Sequence, residues 1–266
     1  MSTDYDKEKW GALDIKHLII DTKDYIVFID NDFDLDWITT ADYDSRGHKA
    51  PGLHSDILNR IALLECRPNG HFDEKVKVDY KRLLGEALAR SLSGEYDSAN
   101  KIISESELYV DQRGIELSRR WYLSAAGMLC LILVLIAFIV WPFRDWFIHI
   151  WGKLFFTYST VMVFGSLGAL LSIILRTGGE QFDCHAGKVL HQLESSYRVV
   201  AGMLSGLLVV LAVKSEFILP FLNGDRDQNT VLYFVAFVSG MSERIAPSIT
   251  TKIEDSTDEN VTNKSK

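Results

Sequence analysis

This chain has no cysteine pair at ligand spacing. Cys66, Cys130 and Cys184 are scattered, odd in number and never C-x-x-C. That pattern excludes a disulfide framework and a zinc motif. The triplet Asp183-Cys184-His185 has residue types suited to a metal or thiol centre, but no second Cys/His cluster completes it. A basic excess is also missing, since 28 Lys and Arg face 36 Asp and Glu for a net charge of −8. Residues 1–44 alone carry twelve acidic and four basic side chains, again −8, so the imbalance sits in the N-terminal segment. Nucleic-acid binders show a clustered basic footprint, so no direct DNA binding is expected. An acidic leader is likewise repelled by anionic lipid head groups. The first ten residues, MSTDYDKEKW, contain no apolar core of a secretory signal. The N-terminal module is therefore expected to stay in the cytoplasm, with the first span acting as an internal signal-anchor. No catalytic constellation or internal repeat stands out, and no cofactor or metal is expected.

Long apolar runs are present, and all lie in the second half. Residues 121–141 and 154–175 carry no formal charge. Residues 199–222 are interrupted by Lys214 and Glu216, and residues 231–249 by Glu243 and Arg244. A bilayer-crossing helix needs about 20 mostly apolar residues. The fold class expected is mainly α: a polytopic membrane protein with four transmembrane helices (119–250), preceded by a small cytosolic α(+β) module. Lys and Arg flanking the spans set orientation. Eleven lie before span 1, between spans 2 and 3, or after span 4; three lie in the other loops. Both termini are therefore expected on the cytoplasmic side. Trp121, Trp141, Trp146 and Trp151 read as interfacial belts. Residues 142–153, punctuated by Pro142 and Gly152, read as a short interfacial helix in preference to an extension of span 2.

In the soluble part, residues 1–75 form an acidic α+β segment with short strands expected at 18–20 and 25–29. Residues 41–56 read as a loop and 54–66 as a helix with Ile57, Ile61 and Leu64 on one face. Residues 76–118 form a helical hairpin and stalk, with helices over 78–93 and 97–112. Gly94, Tyr96 and Ala99 form its turn, which resembles that of a tetratricopeptide-repeat hairpin, although such arrays need several repeats. Only Gly114 could interrupt a helix running on into span 1. The loop 177–197 is expected to hold an amphipathic helix with Leu190, Leu193 and Tyr197 on one face. The tail, 251–266, is polar and expected to be disordered.

The run IVFIDNDFDLD (26–36) carries the one enzymatic signal. Asp30-x-Asp32 after apolar residues resembles the nucleophile motif of haloacid-dehalogenase-type phosphotransferases, in which the first Asp attacks phosphate. Asp34 stands where a Thr or Val is usual. An EF-hand reading fails at Leu35 and Ala41. A strand with an acidic surface is the simpler reading, and the chain is not expected to be an enzyme. In the spans, Gly202-x-x-x-Gly206, Gly165-x-x-x-Ala169 and Ala236-x-x-x-Gly240 are small-residue pairs that admit a neighbouring helix, within or between subunits. Glu243 and Arg244 either lie paired inside the bundle or snorkel to the inner interface. Lys214 and Glu216 admit the same two readings, with the interface favoured.

The stretches 165–176, 186–215 and 239–249 together resemble a group of bacterial inner-membrane proteins with a cytosolic helical module and a C-terminal four-span bundle. Some proteins of this build serve as anti-phage effectors, including retron-associated ones. The resemblance implies an inner-membrane effector or channel-like homo-oligomer in the lipid bilayer. Its cytosolic module, 1–118, would answer to a cytosolic protein or ribonucleoprotein partner. A non-catalytic membrane-anchored scaffold or sensor is the alternative.

Overall fold

The computed structural model describes residues 5–179, 182–184, 186–215 and 228–242. The chain is mainly helical and divides at Glu116/Leu117 into two compact units.

The first unit is built on an antiparallel sheet in the order β1 (His17–Asp21), β2 (Tyr25–Ile29), β3 (Leu35–Thr39). All five residues of β2 are buried. Tyr25 and Val27 join a core made by the helices that follow, whereas Ile26 and Phe28 pack with Trp10, Leu13, Ile15 and Leu18. Both faces are covered, which is why the strand reads as an unbroken apolar run and does not alternate. The N-terminal cover is a single turn, α1 (Lys7–Trp10), capped by the Asp6 side chain. Trp10 Nε1 donates to Asp21 Oδ1 at 2.8 Å and fixes the turn to β1.

β3 was not expected, and the acidic run accounts for it. Residues 30–34 form a hairpin turn in which Asp30 Oδ1 accepts from the Asp34 backbone N at 2.7 Å. Phe33 takes a positive φ of 67°, with Lys16 Nζ 3.6 Å from its ring centroid. β3 then pairs Leu35 with Ile29 and Thr39 with Tyr25. The loop expected over 41–56 also needs correction. Thr40 caps a short helix, α2 (Ala41–Arg46), and Pro51 opens α3 (Pro51–Glu65) at its first turn, where proline is tolerated.

Helix α4 (Glu74–Leu92) is the centre of the unit: Tyr80, Leu84, Leu88 and Leu92 are all buried. Each such side chain contributes about 1.5–3 kcal/mol. Gly85 lets α4 lie close to the sheet, because a Cβ there would press on the Ile19 and Leu35 side chains. The helix ends in a Schellman turn. Glu95 N bonds Arg90 O, Gly94 N bonds Ser91 O, and Gly94 sits at φ 80°. Helix α5 (Tyr96–Val140) follows, 45 residues and about 68 Å long. It continues through Gly114, so the break considered there does not occur. Among the described residues there is one α4–α5 hairpin, packed on a sheet, and no second copy of it.

In the second unit, α5 is followed by a 3-10 turn (Trp141–Phe143), α6 (Arg144–Trp151), α7 (Lys153–Arg176), α8 (Lys188–Lys214) and α9 (Gln228–Met241). α6 is a separate short helix, closed by Gly152 at φ 86°. Among the described residues, α5, α7 and α8 are long and apolar enough to cross a membrane. α9 has 14 residues, about 21 Å, less than the ~30 Å of hydrocarbon a span must cross. Of the run expected over 231–249, residues 243–249 lie outside the described residues. α8 starts at Lys188 and ends at Lys214, so the amphipathic segment and the third span (expected over 199–222) are one helix.

The apolar face expected over 177–197 lies on the outside of α8. Leu190, Leu193 and Tyr197 are exposed, while His191, Ser195, Val199, Gly202 and Gly206 are buried. Close helix approach selects small residues at the contact, and large apolar side chains are left outside.

Candidate functional site

Two places in the described structure gather the residues that the sequence singled out. The first is the seam where α7, α8 and α9 meet. A Cβ on Gly165 would lie 2.5 Å from Gly202 O, and one on Gly206 would lie 3.2 Å from the Gly165 Cα. A Cβ on Gly202 would overlap the Ala169 methyl, and one on Gly240 would overlap the Gly165 backbone. Ala236 is fully buried and faces Gly206. All six small residues therefore converge on one joint inside a single chain. Gly168 joins them, pressed against Phe237 O; its three-residue spacing from Gly165 escaped a search for pairs four apart.

Weakly polar groups line this joint. Ser239 Oγ donates to Ser205 O at 3.0 Å, tying α9 to α8. Cys130 Sγ donates to Ser166 O at 3.4 Å, tying α5 to α7. Beside the seam, Ser172, Arg198, Ser205 and Ser242 line a cavity of about 400 Å³. Arg198 pairs with Glu194 at 3.3 Å and lies 5.7 Å from the Tyr122 ring centroid. Of the charges named from sequence, Lys214 is exposed at the end of α8, 5.0 Å from the Tyr158 ring centroid. Glu216, Glu243 and Arg244 lie outside the described residues, as do His185 and the tail 251–266.

The second place surrounds the hairpin turn in the first unit. Gly94 and Tyr96 line a cleft of about 580 Å³, together with the β1–β2 turn and the residues after α2. Tyr96 Oη accepts from Ala50 N at 3.1 Å. Ala99 is fully buried beneath, in the core with Ile103. Tyr25 Oη donates to Ala89 O, and Tyr43 Oη to Leu92 O, so phenols cap the carbonyl end of α4. Sequence reasoning found the turn but missed Lys23, Arg46 and Lys49 around it. Arg46 and Lys49 come from the end of α2 and the residues after it, and Lys23 from the β1–β2 turn, so the fold alone brings Lys23 to the other two.

His48 lines this cleft and stacks on a second histidine behind it. The rings of His48 and His54 stack with centroids 3.7 Å apart, and His54 Nδ1 is 2.8 Å from Ser91 Oγ. Burial first, and the adjacent His48 second, hold the His54 imidazole down at about 4. An unfolded histidine titrates near 6.5. Between those values the unfolded chain takes up the proton, so stability rises with pH. The contribution is complete above about pH 6.5 and lost as pH falls toward 4. The expected loss is on the order of 2–3 kcal/mol, read by pulse proteolysis of the first unit in urea at pH 7.5 and 4.5. His54→Gln should flatten the difference, and a wild-type protein indifferent to pH would refute the assignment.

Asp30 and Asp32 lie at the β2–β3 hairpin, away from the residues of this cleft, and one Asp30 oxygen is engaged by the turn. Among the described residues, no group of three or more His, Cys, Asp or Glu is placed to hold a metal. Searches against family models, curated proteins and solved structures find no match to this chain.

Proposed function

We propose that this chain is a membrane effector of the bacterial inner membrane whose bundle alters bilayer permeability under control of the N-terminal unit. In this reading α9 belongs to a fourth span, both termini are cytoplasmic, and copies assemble to complete a path. The observation that supports it is the α7–α8–α9 seam. Three helices meet there through Gly165, Gly202 and Gly240 with no large side chain between them. Such a joint holds by close backbone packing and can shear without unthreading side chains. Ser205, Ser239 and Arg198, beside or within it, are the groups a water-filled opening would meet. A role in phage defence follows only from the sequence resemblance and is part of the proposal.

The test is a membrane-potential dye in bacteria expressing the chain alone, with its genomic neighbours, and under phage challenge. Rapid depolarisation in at least one condition is expected, and it should be lost when the seam is locked by a disulfide between cysteines placed on α7 and α8. A membrane potential that stays constant throughout removes the proposal. A second reading, a membrane-anchored sensor or scaffold, is favoured by the cation-lined cleft at the hairpin turn. Exchange of residues 117–266 for an unrelated anchor separates the two, because a scaffold keeps its function and an effector does not.

A further inference from the structure

We propose that the cleft at the α4–α5 turn binds a small organic phosphate with a planar ring, of about the size of a nucleoside monophosphate. The inference concerns the first unit alone and does not depend on what the bundle does. The cleft lies where the β1–β2 turn, the segment after α2 and the helical turn converge. Its volume, about 580 Å³, falls within the range of small-molecule sites, roughly 300–1,000 Å³.

Its charge opposes that of its surroundings. Residues 1–44 carry a net −8, yet the cleft is lined by Lys23, Arg46 and Lys49 against one carboxylate, Asp24. Asp24 is already held by Arg46 at 2.8 Å. The Lys23 and Lys49 ammonium groups have no carboxylate partner among the described residues. The Lys49 stem lies over Gly94, where a Cβ would come within 3.1 Å of its Cδ, so its position depends on glycine at the turn.

The acceptors that would repel an anion are already engaged. The last carbonyls of α4 form the negative end of a helix. Here they receive the Tyr25 and Tyr43 hydroxyls and the Schellman N–H groups. Two unengaged ammonium groups and a guanidinium suit a doubly charged phosphate, for which lysine serves as a point-charge partner. The volume exceeds what a bare phosphate fills, and the remaining wall includes Tyr43, His48 and Tyr96, aromatic groups against which a planar ring can pack.

The test uses the full chain in detergent micelles, with equilibrium dialysis against radiolabelled AMP. Citrate, inorganic phosphate and a polyglutamate peptide serve as competitors. Retention of AMP that weakens with added salt is expected. Lys23→Met and Lys49→Met should each weaken it about tenfold, the loss of one charge-assisted bond. Methionine keeps the stem packing, so the fold should be retained, and an unchanged thermal melt would check this. Lys75→Met, on the exposed start of α4, should leave binding unchanged. The proposal is overturned by no AMP retention at millimolar concentration, by equal retention in the Lys23→Met/Lys49→Met double variant, or by citrate or polyglutamate displacing AMP better than inorganic phosphate does.

Discussion

Leucine in place of Gly165 should abolish the folded bundle. Gly165 faces Gly202 on one side and Gly240 on the other, and both contacts are to backbone. A side chain on Gly165 runs into the backbone of Gly202 and Met203, which cannot rotate aside as a side-chain tip can, so the whole of α8 must move outward. Overpacking a core by a few methylenes costs about 1–3 kcal/mol. Forcing α8 off α7 against unyielding backbone belongs with the rare losses above about 4 kcal/mol. Scanning fluorimetry in micelles should show no cooperative transition for Gly165→Leu. A graded series makes the point specific. Gly206→Ala, with its nearest neighbours at 3.2–3.4 Å, should cost about 1 kcal/mol or less. Gly127→Ala on α5 meets nothing within 4 Å and should be neutral or slightly stabilising. If Gly165→Leu melted like the wild type, the three helices would not touch there.

The second large effect is expected in the first unit. Lys81 is buried, and its Nζ lies 2.5 Å from Glu65 Oε1, with Asp34 Oδ1 at 3.8 Å. The same Glu65 oxygen accepts from Leu35 N at 3.1 Å, so one carboxylate joins the end of α3, the middle of α4 and the start of β3. Lys81→Met leaves that carboxylate facing an apolar side chain. Removing one partner of a buried pair costs about 3–5 kcal/mol, whereas replacing both is often close to neutral. Glu65 keeps partial contact with water, so the lower end, about 3 kcal/mol, is expected for Lys81→Met. Lys81→Met/Glu65→Leu should recover more than half of it, as urea unfolding in a double-mutant cycle would show. A single variant no weaker than the double one would mean that the pair is effectively solvated.

Much of this architecture was legible in the sequence, and the failures have physical causes. The uncharged runs over 121–141 and 154–175 gave the second half of α5 and the whole of α7 closely, because length and hydropathy alone mark a helix able to cross a bilayer. β2 was legible because a strand covered on both faces leaves an unbroken apolar run. β3 was not, because only Leu35 among its residues is buried, and acidic neighbours mask so short a signal. The apolar face over 190–197 was legible as a stripe of 3.6-residue spacing, but its outward direction was not, because that is set by the small residues α8 turns toward α7 and α9. The small-residue pairs were read on each helix, but their meeting in one joint depends on three helices and is not encoded in any one spacing. The cleft of Lys23, Arg46 and Lys49 left no trace either, since the fold alone brings Lys23 to the other two.

In α8, His191, Ser195, Gly202 and Gly206 share the interior with Val199, Val209, Val210 and Val213, while Leu190, Leu193, Tyr197, Leu204 and Leu211 form the exterior. A deep substitution scan would therefore return a partly inverted map for this helix. Positions such as Leu204 and Leu211, exposed and apolar, should exchange freely among oily residues of any size. Positions such as Ser195 and Gly202, chemically modest and hidden, should admit almost nothing larger. An engineer wishing to raise expression by trimming greasy exterior groups would be altering the residues this helix can most easily exchange, and a new methyl group at the joint would do more harm than several such trims.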